Sequence, residues 1–241
     1  MMESQSTRDA IERRVVILDP GVRLREQARR VVRRLGYEPT VLGNLAELRA
    51  GNIDPTELEM VMLSGAKDAR SSIALVDEAR QFVGAETPML CLVHKNQLKE
   101  VAVQRWESMD EVLGRPSSAI ELSGIVRLFM RRHGIKVSEH IPKWGGYRFL
   151  TMSDIVEING EKVLLRAVEF DLALEFFWNT GRTLTRDWLI AKVWGKGFKV
   201  DSRTLDVSVS RLRRLLRLEI NGWDLRAVWG SGYRLERPLE L

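Results

Sequence analysis

The chain has 241 residues, 44% of them apolar and 29% charged, which is enough for two modest cores of about 100 to 130 residues each. Nowhere do about 18 uncharged apolar residues run together, and the opening MMESQSTRDAIE has no apolar segment behind its charges, so no membrane span and no export signal are expected and the cytoplasm is the expected compartment. One cysteine and three scattered histidines (His94, His133, His140) exclude an internal disulfide and metal-ligand spacing, and the net charge of +5, with 21 basic against 19 acidic residues over 1–136 and 17 against 14 over 137–241, is too evenly spread to name a partner by its sum.

After a polar tail at 1–12, the first half alternates strand-like apolar runs with helical stretches. VVILD (15–19) is followed by an amphipathic helix over 22–36, YEPTVL (37–42) and a short NLAELRA. MVML (60–63), a helix over 70–83, PMLCLV (88–93), a helix near 97–107, EVLG (111–114) and a helix at 117–133 complete it. Five strands alternating with five helices predict a doubly wound parallel sheet. In the helix at 22–35, Leu24, Ala28, Val31, Val32 and Leu35 form a core stripe, and six arginines cover the rest, which reads as a solvated face or a second charged surface. Cys91, inside PMLCLV, reads as a packed core thiol.

Periodicity is lost over 134–146, the expected linker. Six of the seven tryptophans lie at 144 or later. The second domain, 147–241, opens with a strand region that turns at Asn159-Gly160, followed by helices near 167–180, 185–194 and 202–218 and a hairpin around Gly230-Ser231-Gly232.

The strongest functional signal is DSRTLDVSVSRLRRLLRL (201–218), capped by Asp201 or Ser202. At 100° per residue, Leu205, Val209, Leu212 and Leu216 fall in one core stripe, and Arg203, Val207, Ser210, Arg211 and Arg214 fall opposite. Five arginines and one acid, Asp206, lie between 203 and 217, too few acids for a salt-bridged surface helix. A basic ridge with small side chains in its gaps suits the major groove of B-DNA, where arginine forks meet guanine and small apolar groups such as Val207 meet thymine methyls. The helix before it starts at Thr185 and turns Trp188, Leu189, Ile190 and Val193 inward, so the two make a helix-turn-helix, and LRAVWGSGYRLE after it forms a wing.

Residues 165–235, through LRAVEFDLALEFF, GRTLTRDWLIAKVWG, DSRTLDVSVSRLRRLL and AVWGSGYRL, resemble the winged-helix output domain of OmpR/PhoB-type response regulators of bacterial two-component systems. Length, alternation and linker then make 13–133 similar to the family's flavodoxin-like receiver, and the resemblance covers nearly the whole chain. It implies that Thr204, Val207, Ser210, Arg211 and Arg214 face the groove and that Arg203, Thr185, Arg186, Trp194 and Tyr233 hold phosphates or support the contact. Lys196, Gly197, Phe198, Lys199 and Val200 correspond to the loop that in some relatives touches RNA polymerase. Where many relatives place a wing arginine for the minor groove, this chain has Trp229, which cannot follow a negative potential as arginine does. Stacking on sugars or packing on a partner subunit are the alternatives, and Arg226 and Arg234 are candidates to supply the missing charge.

A working receiver resembling this one ends its third strand in a phosphoacceptor aspartate, its first in paired acids for Mg²⁺, its fourth in Thr or Ser and its fifth in Lys. Here those positions read Ser64, Asp19-Pro20, Val93 and Arg115-Pro116. A serine without a base or a metal is a poor substitute for the carboxylate, so no cofactor, no phosphorylation by a histidine kinase and a phosphorylation-independent regulator are expected. Ser64 reads as a neutral filler, a polar lining for a small ligand, or a Ser/Thr kinase site. The family's dimer face implies Glu111, Glu121, Arg127 and Arg132, with Val101 and Ile125 where basic residues are usual, a change toward apolar contacts that suits a standing homodimer. The expected function is sequence-specific binding of double-stranded DNA as a dimer; the competing reading is an interaction or ligand-sensing adaptor with architectural DNA binding. Nothing in the sequence supports an enzyme, since it has no nucleophile–base pair and no phosphate-cradling loop.

Overall fold

The computed structural model describes residues 14–51, 53–103, 109–137, 141–195 and 201–237. The chain divides into two compact units, 1–139 and 140–241.

In the first unit, β1 (Arg14–Leu18), β2 (Glu38–Leu42), β3 (Leu58–Ser64), β4 (Met89–Val93) and β5 (Glu111–Gly114) form a parallel sheet in the order β2-β1-β3-β4-β5. Between them run α1 (Val22–Arg34), α2 (Leu45–Ala50), α3 (Ala69–Val83) and α4 (Leu98–Val103), with α5 (Ala119–Arg132) last. Strand side chains alternate between faces. Val15, Ile17, Met60, Met62, Leu90 and Leu92 meet Ala28, Val31 and Val32 of α1 and Leu122, Val126 and Phe129 of α5. Val16, Leu18, Val61, Leu63, Cys91 and Val93 meet Leu45 and Leu48 of α2 and Val76, Ala79 and Val83 of α3. Both faces are therefore covered, which is why the strands read as continuous apolar runs. Burial pushes the Cys91 thiol up to about 12, so it packs as a hydrophobe. The sheet order reverses between β1 and β3, and ligand chemistry in such folds sits at the carboxyl ends of the strands beside that reversal.

The second unit opens with an antiparallel sheet, β6 (Lys143–Trp144), β7 (Tyr147–Leu150), β8 (Ile155–Ile158) and β9 (Glu161–Leu164). Asn159 and Gly160 join β8 to β9, both at positive φ (50° and 92°), as a two-residue turn between paired Ile158 and Glu161 requires. Then come α6 (Ala167–Trp178), β10 (Thr183–Thr185), α7 (Arg186–Val193), α8 (Ser202–Leu215), β11 (Asp224–Val228) and β12 (Gly232–Glu236). The last two strands and β10 form a second sheet, β10-β12-β11. A Cβ on Gly232 would lie 2.0 Å from the Leu184 carbonyl oxygen, so only glycine lets β12 approach β10 this closely. The core gathers Tyr147, Phe149, Phe170, Phe176, Phe177, Leu189 and Tyr233 around α6, with Leu205, Val209, Leu212 and Leu216 of α8. Tyr147 donates to the Leu216 carbonyl at 2.8 Å, and burial pushes its hydroxyl up to about 12.

The fold is the expected one: a five-stranded parallel α/β unit followed by a winged helix. Several boundaries move. The segment read as a linker over 134–146 is drawn into structure at both ends, because Ile135 is buried in the core of the first unit, Tyr37 donates its hydroxyl proton to the Lys136 carbonyl, and Lys143 and Trp144 pair with β7. Helix α8 stops at Leu215 rather than 218. Arg217 takes a left-handed φ of 49° and Leu218 N–H returns to the Arg213 carbonyl at 3.2 Å, a hydrogen-bonded stop of the Schellman kind.

Candidate nucleic-acid interface

Helix α8 is set by its two faces. Asp201 caps it by accepting the Arg203 N–H at 3.1 Å, and Leu205, Val209, Leu212 and Leu216 are all buried, as the stripe predicts. Outward-facing Arg203, Thr204, Val207, Ser210 and Arg214 are exposed, Val207 at 60%. Arg211 departs from expectation. It lies no further from the outward axis than Ser210 or Thr204, but its Nε sits 2.9 Å from Oε1 of the buried Glu169 on α6, an ion pair within the unit. Arg217 is likewise bound in a two-bond pair to Glu161, at 2.8 and 3.0 Å.

The flank of α8 is tied to the wing by a network the sequence reading missed. Asp206 accepts hydrogen bonds from the Tyr233 hydroxyl of β12 and from Arg186 at the start of α7, the latter at 2.5 Å. The Tyr233 bond, with Arg186 beside it, holds the Asp206 carboxyl below the usual carboxylate range, so it is charged at neutral pH. About two turns later, Arg213 donates Nε–H to the Leu225 carbonyl of β11 at 2.5 Å and lies over the Tyr233 ring at 5.9 Å. A lone acid inside an arginine run was the signal for this network: its nearest use is inward pairing. Thr185 accepts the Trp188 N–H at 3.3 Å as the cap of α7, Trp194 ends that helix half-buried against the core, and Arg186 spends its guanidinium on Asp206 and Tyr233. Lys196, Gly197, Phe198, Lys199 and Val200 lie outside the described residues.

The wing turn, Trp229-Gly230-Ser231, carries an almost fully exposed Trp229 (99%). The two arginines expected to supply charge there do not reach it. Arg226 and Arg234 face each other across the ladder and both bind Glu236, Arg234 at 2.8 Å.

At the carboxyl end of the first unit's sheet, Ser64 and Asp19 are buried together. The Ser64 hydroxyl donates to Asp19 Oδ2 and the Gly21 N–H donates to Oδ1 at 2.5 Å, so both carboxylate oxygens are engaged by neutral donors. Val93 is fully buried and Pro20 exposed. Arg115 reaches the Gly65 carbonyl at 2.9 Å. Beyond Ser64 the loop is fastened by Ser72, which accepts the Ala66 N–H at 2.8 Å, and by Gln97, which donates to the Ala66 and Lys67 carbonyls. Asp68, four residues past the strand end, caps α3.

The expected apolar dimer positions are corrected by their burial. Val101 is 1% exposed, in the core against α3, and Ile125 is half-buried against its own core, because each lies at helical spacing from core neighbours. Glu111 and Arg132 pair with each other within the chain at 2.7 Å, Glu121 accepts from Ser117, and Arg127 is half-buried. Exposed apolar surface on α5 comes instead from Ile120 (61%) and Leu128 (50%), with the open Gly124 between them at the same four-residue spacing.

Among the described residues, no helix is long and apolar enough to cross a membrane. Residues 160–235 match the family model described as "Transcriptional regulatory protein, C terminal". The chain is 30% identical over 231 residues to the sensory transduction protein RegX3 of Mycobacterium bovis, covering 92% of this chain and 98% of that one. It is 28% identical over 222 residues to the phosphate regulon transcriptional regulatory protein PhoB of Pseudomonas aeruginosa, covering 91% and 96%. Against the crystal structure of the Thermotoga maritima response regulator DrrB, an OmpR/PhoB homologue, the TM-score is 0.42 at 18% identity, covering 94% of this chain and all of that one.

Proposed function

The chain belongs to the OmpR/PhoB family of response regulators, which are transcription regulators rather than enzymes, and we propose that it is a sequence-specific DNA-binding regulator acting as a dimer without aspartyl phosphorylation. The observation that carries the DNA reading is the outer face of α8, where Arg203, Thr204, Val207, Ser210 and Arg214 stand exposed in one row. An α-helix fits the major groove, arginine there reads guanine, and an exposed small apolar side chain such as Val207 suits a thymine methyl. The Asp206–Tyr233–Arg186 network ties the flank of that helix to the wing and to the start of α7.

Independence from phosphorylation is supported by the pocket around Ser64. Mg²⁺ takes several oxygen ligands carrying carboxylate charge. Asp19 offers one carboxylate whose oxygens already accept two hydrogen bonds, and among the described residues no group of three or more His, Cys, Asp or Glu side chains converges anywhere. These residues do not fit the ion. A hydroxyl committed as donor to Asp19, beside the apolar Val93, likewise gives a phosphoryl group neither an acceptor atom of the right basicity nor a hydrogen-bonding cradle. The fastened loop at 65–68 favours a neutral filler over a kinase site at Ser64, since the buried hydroxyl is not presented to another enzyme.

Dimer action is supported by the α5 stripe of Ile120, Gly124 and Leu128. The test is selection of duplexes from a random pool by the untreated full-length chain, repeated after exposure to acetyl phosphate. We expect a defined motif recovered in both arms and no added phosphate in the intact mass. A motif that emerges only after phosphodonor treatment would end the phosphorylation-independent reading, and equal retention of all sequences would replace a regulator with an architectural protein.

A further inference from the structure

Trp229 is the most exposed large apolar side chain among the described residues, and the hairpin that carries it is placed by bonds already described. Arg213 binds Leu225 and Asp206 binds Tyr233, so the β11–β12 hairpin runs alongside α8 with its tip toward the amino end of that helix. Ala227 pairs with Tyr233, level with Asp206. Two more residues of strand carry Trp229 roughly 7 Å further, to the level of Ser202 and Arg203. The turn is not loose there: the Ser231 N–H binds the Val228 carbonyl at 3.0 Å, and the Ser231 carbonyl accepts the Arg186 N–H at 3.3 Å. The backbone of the turn is thus held at the amino end of α8 with the indole standing out into solvent, while both neighbouring arginines are tied to Glu236.

Resting on the DNA reading above, we propose that Trp229 is a specificity-determining residue that enters the minor groove flanking the site of α8 and selects A·T pairs by excluding the guanine 2-amino group. The minor groove is about 6 Å wide, enough for a flat ring held edge-on between the sugar walls. Its floor at A·T pairs offers only adenine N3 and thymine O2, both acceptors, which suit the indole Nε1–H, a donor that accepts nothing. A G·C pair places a donor on that floor, which meets the indole N–H donor to donor and occupies the space of the ring edge. A neutral ring therefore reads the groove floor chemically, where a cation would read its potential.

The experiment uses the full-length chain and the duplex it selects from a random pool, with modified base pairs at the steps flanking the α8 site. Replacing adenine there by 2,6-diaminopurine adds the minor-groove amino group and leaves the major groove almost unchanged; replacing guanine by inosine removes it. The wild-type protein is expected to bind the diaminopurine duplex about fivefold to tenfold more weakly, the lower range for one unfavourable base pair, and to recover on inosine. Trp229→Ala is expected to bind more weakly overall and to lose that discrimination. The base changes leave the protein untouched, so folding of the variant does not confound the result. Equal wild-type affinity for modified and unmodified duplexes, or unaltered discrimination by Trp229→Ala, would overturn the assignment while leaving the DNA reading intact. A change in sedimentation of Trp229→Ala without DNA, with discrimination kept, would assign the indole to a second copy instead. Failure to recover any preferred duplex would overturn both.

Discussion

At the scale of single residues, Ser64 and Asp19 make a closed polar pair at the carboxyl end of the parallel sheet. Asp19 lies buried at the end of β1 with its two oxygens satisfied by Ser64 and Gly21. A second acid placed beside it should therefore harm the fold. In Ser64→Asp, two carboxylates share one buried site, and one of them must take a raised pKa. A group raised in the folded state contributes stability that is complete below its unfolded value, about 3.9, and is lost as pH rises through its folded one. We expect the variant to be about 2–4 kcal/mol less stable than the wild type at pH 7. The deficit should shrink on acidification toward pH 4. Urea denaturation at several pH values measures this; a variant as stable as wild type at neutral pH would show that the pocket is more open than its hydrogen bonds imply.

At the scale of elements, α8 separates two kinds of arginine that look alike in sequence. Arg214 is exposed on the outward axis, whereas Arg211 is bound to the buried Glu169. Arg214→Ala should weaken DNA binding about tenfold or more with a change in stability within about 0.5 kcal/mol. Arg211→Ala leaves Glu169 without its counter-charge and should cost about 1–2 kcal/mol of stability, with a smaller direct effect on base choice. Paired thermal denaturation and binding measurements distinguish them, and reversed rankings would show that the Glu169 pair breaks to free Arg211 on DNA. The difference also shows what was legible in advance. Periodicity gave the core stripe of α8, the alternation of parallel strands with helices and the wing hairpin, because those depend on the pattern along one stretch of chain; the order β2-β1-β3-β4-β5 was not read from it. It did not reveal Glu169, nor the hub at Asp206, since these partners come from α6 and β12 and no local pattern ties them to α8. The strands β6 to β9, two to four residues long, were visible only through the Asn159-Gly160 turn, whose positive φ angles have a sequence signature. Val101 was misplaced for a different reason: the resemblance set it on a dimer face, while its three-residue spacing from Leu98, which packs on the same core, turns it inward.

At the scale of the whole molecule, a dimer formed by the first unit would gain DNA affinity without any new DNA contact, because the second winged helix then binds at a high effective concentration. The corrected apolar stripe makes this testable. Ile120, Gly124 and Leu128 share one exposed face of α5, and no neighbouring atom lies within 4 Å of where a Gly124 side chain would begin, so a facing helix can come close. Leu128→Glu places a charge in that contact and touches neither core. The untreated wild type should sediment as a dimer at micromolar concentration and the variant as a monomer. Binding to one half-site should be equal for both, while binding to two half-sites should fall by about a hundredfold in the variant, the low end of what linkage supplies. If the variant stays dimeric, the contact lies elsewhere on the chain; if it becomes monomeric and keeps full affinity for paired sites, the winged helices cooperate on DNA by themselves and the receiver-like unit serves another purpose.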